Sequence, residues 1–112
     1  MSHIVLNSYR IMWLIVFFDL PVQTKIQRKQ AARFRKSLET FGFTMLQYSV
    51  YMRHCPSKES LAAQVKRIKL TVPPAGKVSI LKITDKQYSD IINYSGKMRE
   101  LLPETPRQLE LF

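Results

Sequence analysis

Acidic residues and cysteine are both scarce in this chain of 112 residues, and each scarcity excludes something. Eight Asp+Glu stand against 18 Lys+Arg, a formal net charge of +10 at pH 7 with a pI of about 10.1. Such an excess favours polyanionic partners, nucleic acid first and an anionic membrane surface second. The plainer alternative is a soluble protein that merely happens to be basic. The single cysteine, Cys55, cannot close an intramolecular disulfide or build a cysteine-based zinc site, and it fits a reducing cytoplasm. No apolar run approaches the ~20 residues of a membrane-spanning helix, so no membrane partner is expected. Arg10 followed by apolar residues imitates a signal peptide, but the run ends in Asp19-Leu20-Pro21 with no small-residue cleavage site. Internal repeats and low-complexity tracts are also lacking. At 46% apolar content the chain reads as a single globular domain rather than a disordered one.

The stretch that organises this domain is Ile11 to Asp19. Eight consecutive apolar residues, Ile11-Met12-Trp13-Leu14-Ile15-Val16-Phe17-Phe18, stop at a carboxylate. A short, unbroken apolar run rich in β-branched and aromatic residues predicts a strand buried on both faces. Asp19 at its carboxyl end is the only acidic residue before Glu39, and a basic segment follows it.

Pro21 ends strand pairing, and Thr24 with Gln27 forms a capping-box pattern that opens a helix from about Lys25 to Phe41. At roughly 100° per residue, Ile26, Ala31, Phe34, Leu38 and Phe41 share one face, and Lys25, Arg28, Lys29, Arg33, Arg35 and Lys36 share the other. Gly42 closes the helix. Residues 43–55 alternate as β structure and are long for one strand, so they bend or split near Gln47-Tyr48-Ser49. Pro56-Ser57 caps a second helix with Leu61, Val65 and Ile68 as its buried stripe, surrounded by Lys58, Lys66, Arg67 and Lys69. Val72-Pro73-Pro74-Ala75-Gly76 makes a stiff turn into a strand containing Val78, Ile80 and Ile83. A further strand is expected around Ile91-Ile92-Asn93-Tyr94.

The order β-α-β(β)-α-β specifies the α+β class, a ferredoxin-like βαββαβ sandwich with an extra C-terminal strand. Residues 1–84 would form this core with a short leader, and residues 85–112 the late strand and a tail. The late strand can cover a sheet edge in its own chain or across a two-fold axis. The ending Gln108-Leu109-Glu110-Leu111-Phe112 reads as a docking peptide with Leu109, Leu111 and Phe112 as apolar anchors. It also resembles the bacterial sliding-clamp binding pentapeptide.

Taken from the residues alone, Asp19 is either a metal ligand or a residue that caps the first helix or pairs with nearby bases. Mg²⁺ is usually held by one or two carboxylates plus waters and phosphate. A homodimer would supply two copies of Asp19 to one ion. His54 and Cys55, adjacent in a strand, point to opposite faces and make no nucleophile–base pair. The strand lacks the Gly-and-aromatic signature of RNA-recognition motifs. Contacts to nucleic acid would therefore come from the basic helix and be sequence-independent.

Phe17-Phe18-Asp19-Leu20-Pro21, the basic helix, Gln47-Tyr48-Ser49-Val50-Tyr51 with Arg53-His54-Cys55, and Ile83-Thr84-Asp85-Lys86-Gln87 together resemble the Cas-two family, the small CRISPR-associated proteins of spacer acquisition, with the nearest likeness to type II systems. The resemblance implies a ferredoxin-like homodimer that bridges subunits of the CRISPR integrase and holds duplex DNA for insertion. It also implies a magnesium-dependent endonuclease acting on RNA or DNA, with Asp19 as the catalytic and metal-site aspartate shared across the dimer. Where many members carry further acids just after that aspartate, this chain has Val22-Gln23-Thr24-Lys25. Two other functions fit the same residues: a stand-alone, toxin-type endoribonuclease acting on single-stranded RNA, and a non-catalytic nucleic-acid-binding regulatory module.

Overall fold

The computed structural model describes residues 12–96, so the leader and the tail anchors Leu109, Leu111 and Phe112 lie outside the described residues. Strand β1 (Met12–Asp19) is the expected apolar run, and its alternation decides the two sides of the molecule. Leu14, Val16 and Phe18 are buried on one side; Trp13, Ile15, Phe17 and Asp19 point to the other. Helix α1 (Lys25–Thr40) follows, then β2 (Thr44–Gln47), β3 (Val50–Cys55), α2 (Lys58–Thr71), β4 (Lys77–Thr84) and a short helix α3 (Asp85–Ser89).

The sheet order is β2-β3-β1-β4, and every neighbouring pair is antiparallel. This is the ferredoxin-like split βαβ arrangement. Phe34 and Leu38 of α1 and Leu61 and Ile68 of α2 share one core cluster with Leu14, Val16, Phe18, Tyr51 and Cys55. Both long helices therefore cover the same sheet face. Phe18 links the sheet to α1 in that core, edge-on to Phe34 at 5.1 Å between ring centroids and stacked on Tyr51 at 5.9 Å. Among the described residues, no helix is long and apolar enough to cross a membrane.

The caps explain why the helices begin where they do. The Thr24 side chain accepts from the Gln27 backbone N–H at 3.1 Å, and the Gln27 side chain accepts from the Thr24 N–H at 3.1 Å, completing the expected capping box. Ser57 caps α2 by accepting from the Ser60 N–H at 3.0 Å. The long β segment splits: Tyr48-Ser49 makes a turn with Ser49 at φ 66°, and β2 and β3 pair back on each other.

Two expectations are corrected. Ile26 is 68% exposed, because at the first turn of α1 it falls off the line Ala31–Phe34–Leu38 that enters the core. The late strand is absent from the described chain: residues 91–95 pair with no strand. Instead Thr84 and Gln87 form a second capping box, and β4 runs directly into α3. Trp13 holds α3 in place, with its indole stacked on Tyr88 at 3.8 Å and its Nε1–H donating to Asp85 at 2.8 Å.

Candidate functional site

Asp19 is the last residue of β1, on the side away from the helices, and it is solvent-exposed. Its strand partner is Lys77, the first residue of β4. The turn before Lys77 approaches Asp19 closely: a Cβ on Gly76 would lie 2.8 Å from the Asp19 carbonyl oxygen and 2.7 Å from Leu20 Cδ2. Gly76 has φ +101°, a conformation glycine adopts without strain. The turn and the strand end thus set the height of Asp19 above the sheet.

Asp19 stands between two clefts. One, of about 230 Å³, is lined by Phe17, Phe18, Asp19, Lys77 and Ser79. The other, of about 150 Å³, lies towards α1 and the β2–β3 turn, where Arg35, Tyr48 and Ser49 face the end of β1. No hydrogen bond or ion pair within the chain occupies the Asp19 carboxylate among the described residues. It caps neither helix, since Thr24 and Ser57 do that.

A single protomer does not complete a metal site. Among the described residues, no group of three or more His, Cys, Asp or Glu is placed to hold an ion. One exposed carboxylate facing a lysine is half of a Mg²⁺ donor set at best. The open side of the sheet bears on this. Along β1, β3 and β4 it carries Trp13, Ile15, Phe17, Val50, Met52, Leu81 and Ile83, with Phe17 43% and Leu81 49% exposed. A sheet covered by helices on one face and apolar on the other is built to be covered again.

The basic residues of α1 divide by what they touch. The side chains of Lys25, Lys29, Arg33 and Lys36 are exposed on the outer face and make no hydrogen bond or ion pair within the described chain. Arg28 is also exposed, but its guanidinium donates to the Val22 and Gln23 carbonyls, both at 3.1 Å, and braces the entry to the helix. Arg35 is half-buried and turned the other way, with its guanidinium 5.6 Å from the centre of the Tyr48 ring. Lys58, Lys66, Arg67 and Lys69 of α2 are exposed beside α1, so the helix layer as a whole is cationic.

His54 is exposed on the open side and Cys55 is buried on the core side, so they make no catalytic pair, as their alternation predicts. Burial pushes the Cys55 thiol above its ordinary range, only partly offset by the nearby Arg53, which makes it a poor nucleophile. Lys77 and Ser79, far from Asp19 in sequence, join it only through strand register, and nothing local in the sequence signals that.

Residues 12–91 match the family model described as CRISPR associated protein Cas2. The chain belongs to the Cas2 family. The Cas2 relative from Flavobacterium psychrophilum, named CRISPR-associated endoribonuclease Cas2, is 44% identical over 107 residues, spanning 96% of this chain and 93% of its own. A relative of the same name from Parvibaculum lavamentivorans is 52% identical over 101 residues, 90% of this chain and 100% of its own. In structure, the chain is similar to one described as "Crystal structure of cas2", with a TM-score of 0.55, 26% identity and coverage of 76% of this chain and 87% of that one.

Proposed function

We propose that this Cas2-family chain is a magnesium-dependent endonuclease subunit that also holds nucleic acid for CRISPR spacer acquisition. The observation that carries the reading is Asp19, an unengaged carboxylate at the rim of an apolar sheet face on which Phe17 and Leu81 stay exposed. A homodimer formed through that face would bury Phe17 and Leu81 and bring two Asp19 side chains to the same rim, converting half a donor set into a whole one. The two carboxylates would hold Mg²⁺, with water and a phosphate oxygen completing the shell. When bound, the ion supplies an acidified water and charge neutralisation at phosphorus. The chain's own residues do the rest: Lys77 and the α1 cations attract the polyanion, and the rigid β1–β4 pairing holds Asp19 in place.

The cationic helix layer supports the adaptor half of the proposal. Lys25, Lys29, Arg33 and Lys36 are free to contact phosphates of duplex DNA while the sheet face is occupied by the second protomer. Bridging to integrase subunits would fall to the C-terminal anchors Leu109, Leu111 and Phe112.

A second reading, a holding protein without cleavage, has its own observation: Lys77 sits beside the single carboxylate and competes electrostatically with a bound cation. The test is cleavage of labelled RNA and duplex DNA, with and without Mg²⁺, by the wild type and Asp19→Asn. Mg²⁺-dependent cutting that falls to background in Asp19→Asn, with duplex binding retained, upholds the nuclease. Binding without cutting by both proteins leaves the holding function alone.

A further inference from the structure

The smaller cleft beside Asp19 has a construction that the metal site does not require. It is walled by the end of β1, by Arg35 from α1 and by Tyr48-Ser49 from the β2–β3 turn. The turn is tied to the strand: the Phe18 N–H donates to the Ser49 carbonyl at 3.1 Å, and Ser49 adopts φ 66°, which a non-glycine residue rarely does. Arg35 is held by a cation–π contact rather than by an acid. Its guanidinium lies over the Tyr48 ring at 5.6 Å, and no carboxylate pairs with it among the described residues. Glu39, one turn further along α1, is the nearest acid on the same face. An unpaired guanidinium lying over a ring presents a planar fork of edge N–H donors, which can take two oxygens of one phosphate at once.

The size of the cleft and the exposure of Tyr48 narrow the ligand. A volume of about 150 Å³ is below the roughly 300–1,000 Å³ of sites that engulf a ligand, so a phosphate fits and a whole nucleotide does not. The base attached to that phosphate must lie outside. There it meets Tyr48, 74% exposed at the tip of the turn with its ring already fixed by Arg35. Base stacking on an exposed aromatic requires a base free of its partner strand.

We propose that Arg35, Tyr48 and Ser49 form a subsite for one unpaired nucleotide, with the phosphate against Arg35 and Ser49 next to Asp19 and the base stacked on Tyr48. The subsite rests on the nuclease reading only for its use: it selects a single strand, while duplex is held on the helix layer. Ser49 contributes through its place in the turn, and Arg35 contributes charge on the side of the phosphate opposite Asp19.

The test is binding of fluorescently labelled single-stranded RNA, single-stranded DNA and duplex DNA, by anisotropy in EDTA so that cleavage plays no part. Tyr48→Ala is expected to weaken single-strand binding about tenfold, the usual effect of removing one stacking ring, and to leave duplex binding within about twofold. Tyr48→Phe keeps wild-type binding, and Arg35→Lys weakens single-strand binding because lysine cannot stack or form the planar fork. Equal losses for RNA and DNA assign the subsite to any unpaired nucleotide; a loss confined to RNA assigns it to a ribonucleotide. Undiminished single-strand binding by Tyr48→Ala, or an equal loss on duplex, overturns the subsite. Because Tyr48 is exposed, the variant should keep the wild-type Tm, which checks folding. Because binding is read in EDTA, wild-type protein that binds single strands in this way but never cleaves in Mg²⁺ sinks the nuclease and leaves the subsite standing.

Discussion

Gly76 carries more of the site than its lack of a side chain suggests. Alanine there would have to hold φ +101° and place its Cβ 2.7 Å from Leu20 Cδ2, 2.8 Å from the Asp19 carbonyl and 2.9 Å from Pro21 Cδ. Two of the three contacts are with residues flanking Asp19, so the chain cannot relax without moving the carboxylate. Gly76→Ala is expected to cost roughly 1–3 kcal/mol, read as a Tm drop of several degrees. It should also lower cleavage by more than the unfolded fraction accounts for. Wild-type activity per folded molecule would show that the turn does not position Asp19. Two buried groups make the stability of the fold depend on pH on the alkaline side. Burial raises the Cys55 thiol, and burial followed by Glu39 raises the Tyr51 phenol, with Arg35 opposing. A raised acid stays protonated in the fold where the unfolded chain already ionises. Their contribution is therefore intact below the ordinary thiol and phenol values and is lost as pH rises through the raised ones. Urea midpoints should be level near neutrality and fall above about pH 9, with a shallower onset in Cys55→Ala.

Helices and strands differed in how far local signals revealed them. Helix α1 was legible because its start is chemical: a Thr-x-x-Gln box seats two backbone N–H groups, and Ala31, Phe34 and Leu38 supply the stripe. Thr24→Ala is expected to cost about 1 kcal/mol, measurable by thermal melting, and to loosen Arg28 from its carbonyls at the helix entry. The same box stands at Thr84–Gln87, and there it starts α3 just before the apolar residues 91–94 that had suggested a strand. β-propensity counts only when a partner strand is present, and residues 91–95 have none among the described residues. Strand β1 and Asp19 at its end were likewise readable, since an apolar run stopping at a charge needs no tertiary knowledge. The surroundings of Asp19 were not. Lys77 reaches it through the β1–β4 register, and the Arg35–Tyr48 stack joins a helix to a turn, both products of folding rather than of any short motif. Periodicity placed all six bases of α1 on one face, but only packing separated Arg35 from the outward set.

For the molecule as a whole, the two faces of the sheet divide the labour, and each can be disabled separately. The helix face is a field of unpaired cations, so its affinity for duplex should fall linearly in log–log salt plots. Each engaged lysine removed should reduce that slope by about 1, and Lys29→Ala with Lys36→Ala tests this without touching the core. The open face is apolar, and its proposed occupant is a second copy of the chain. Leu81 is the probe for it: it sits opposite Ile15 in the centre of that face and is 49% exposed, so Leu81→Glu leaves the single chain's core untouched. In a face-to-face dimer the same carboxylate would be buried against apolar neighbours and repeated across the two-fold axis. That costs several kcal/mol per ion, enough to shift a micromolar dimer to monomer. Sedimentation should then show the wild type as a dimer and Leu81→Glu as a monomer with an unchanged circular dichroism spectrum. Mg²⁺-dependent cleavage should disappear with the dimer, because each monomer retains one Asp19 and half a donor set. A Leu81→Glu protein that stays dimeric would move the interface off this face, and the paired Asp19 site would go with it. A monomer that still cleaves would show instead that one carboxylate suffices.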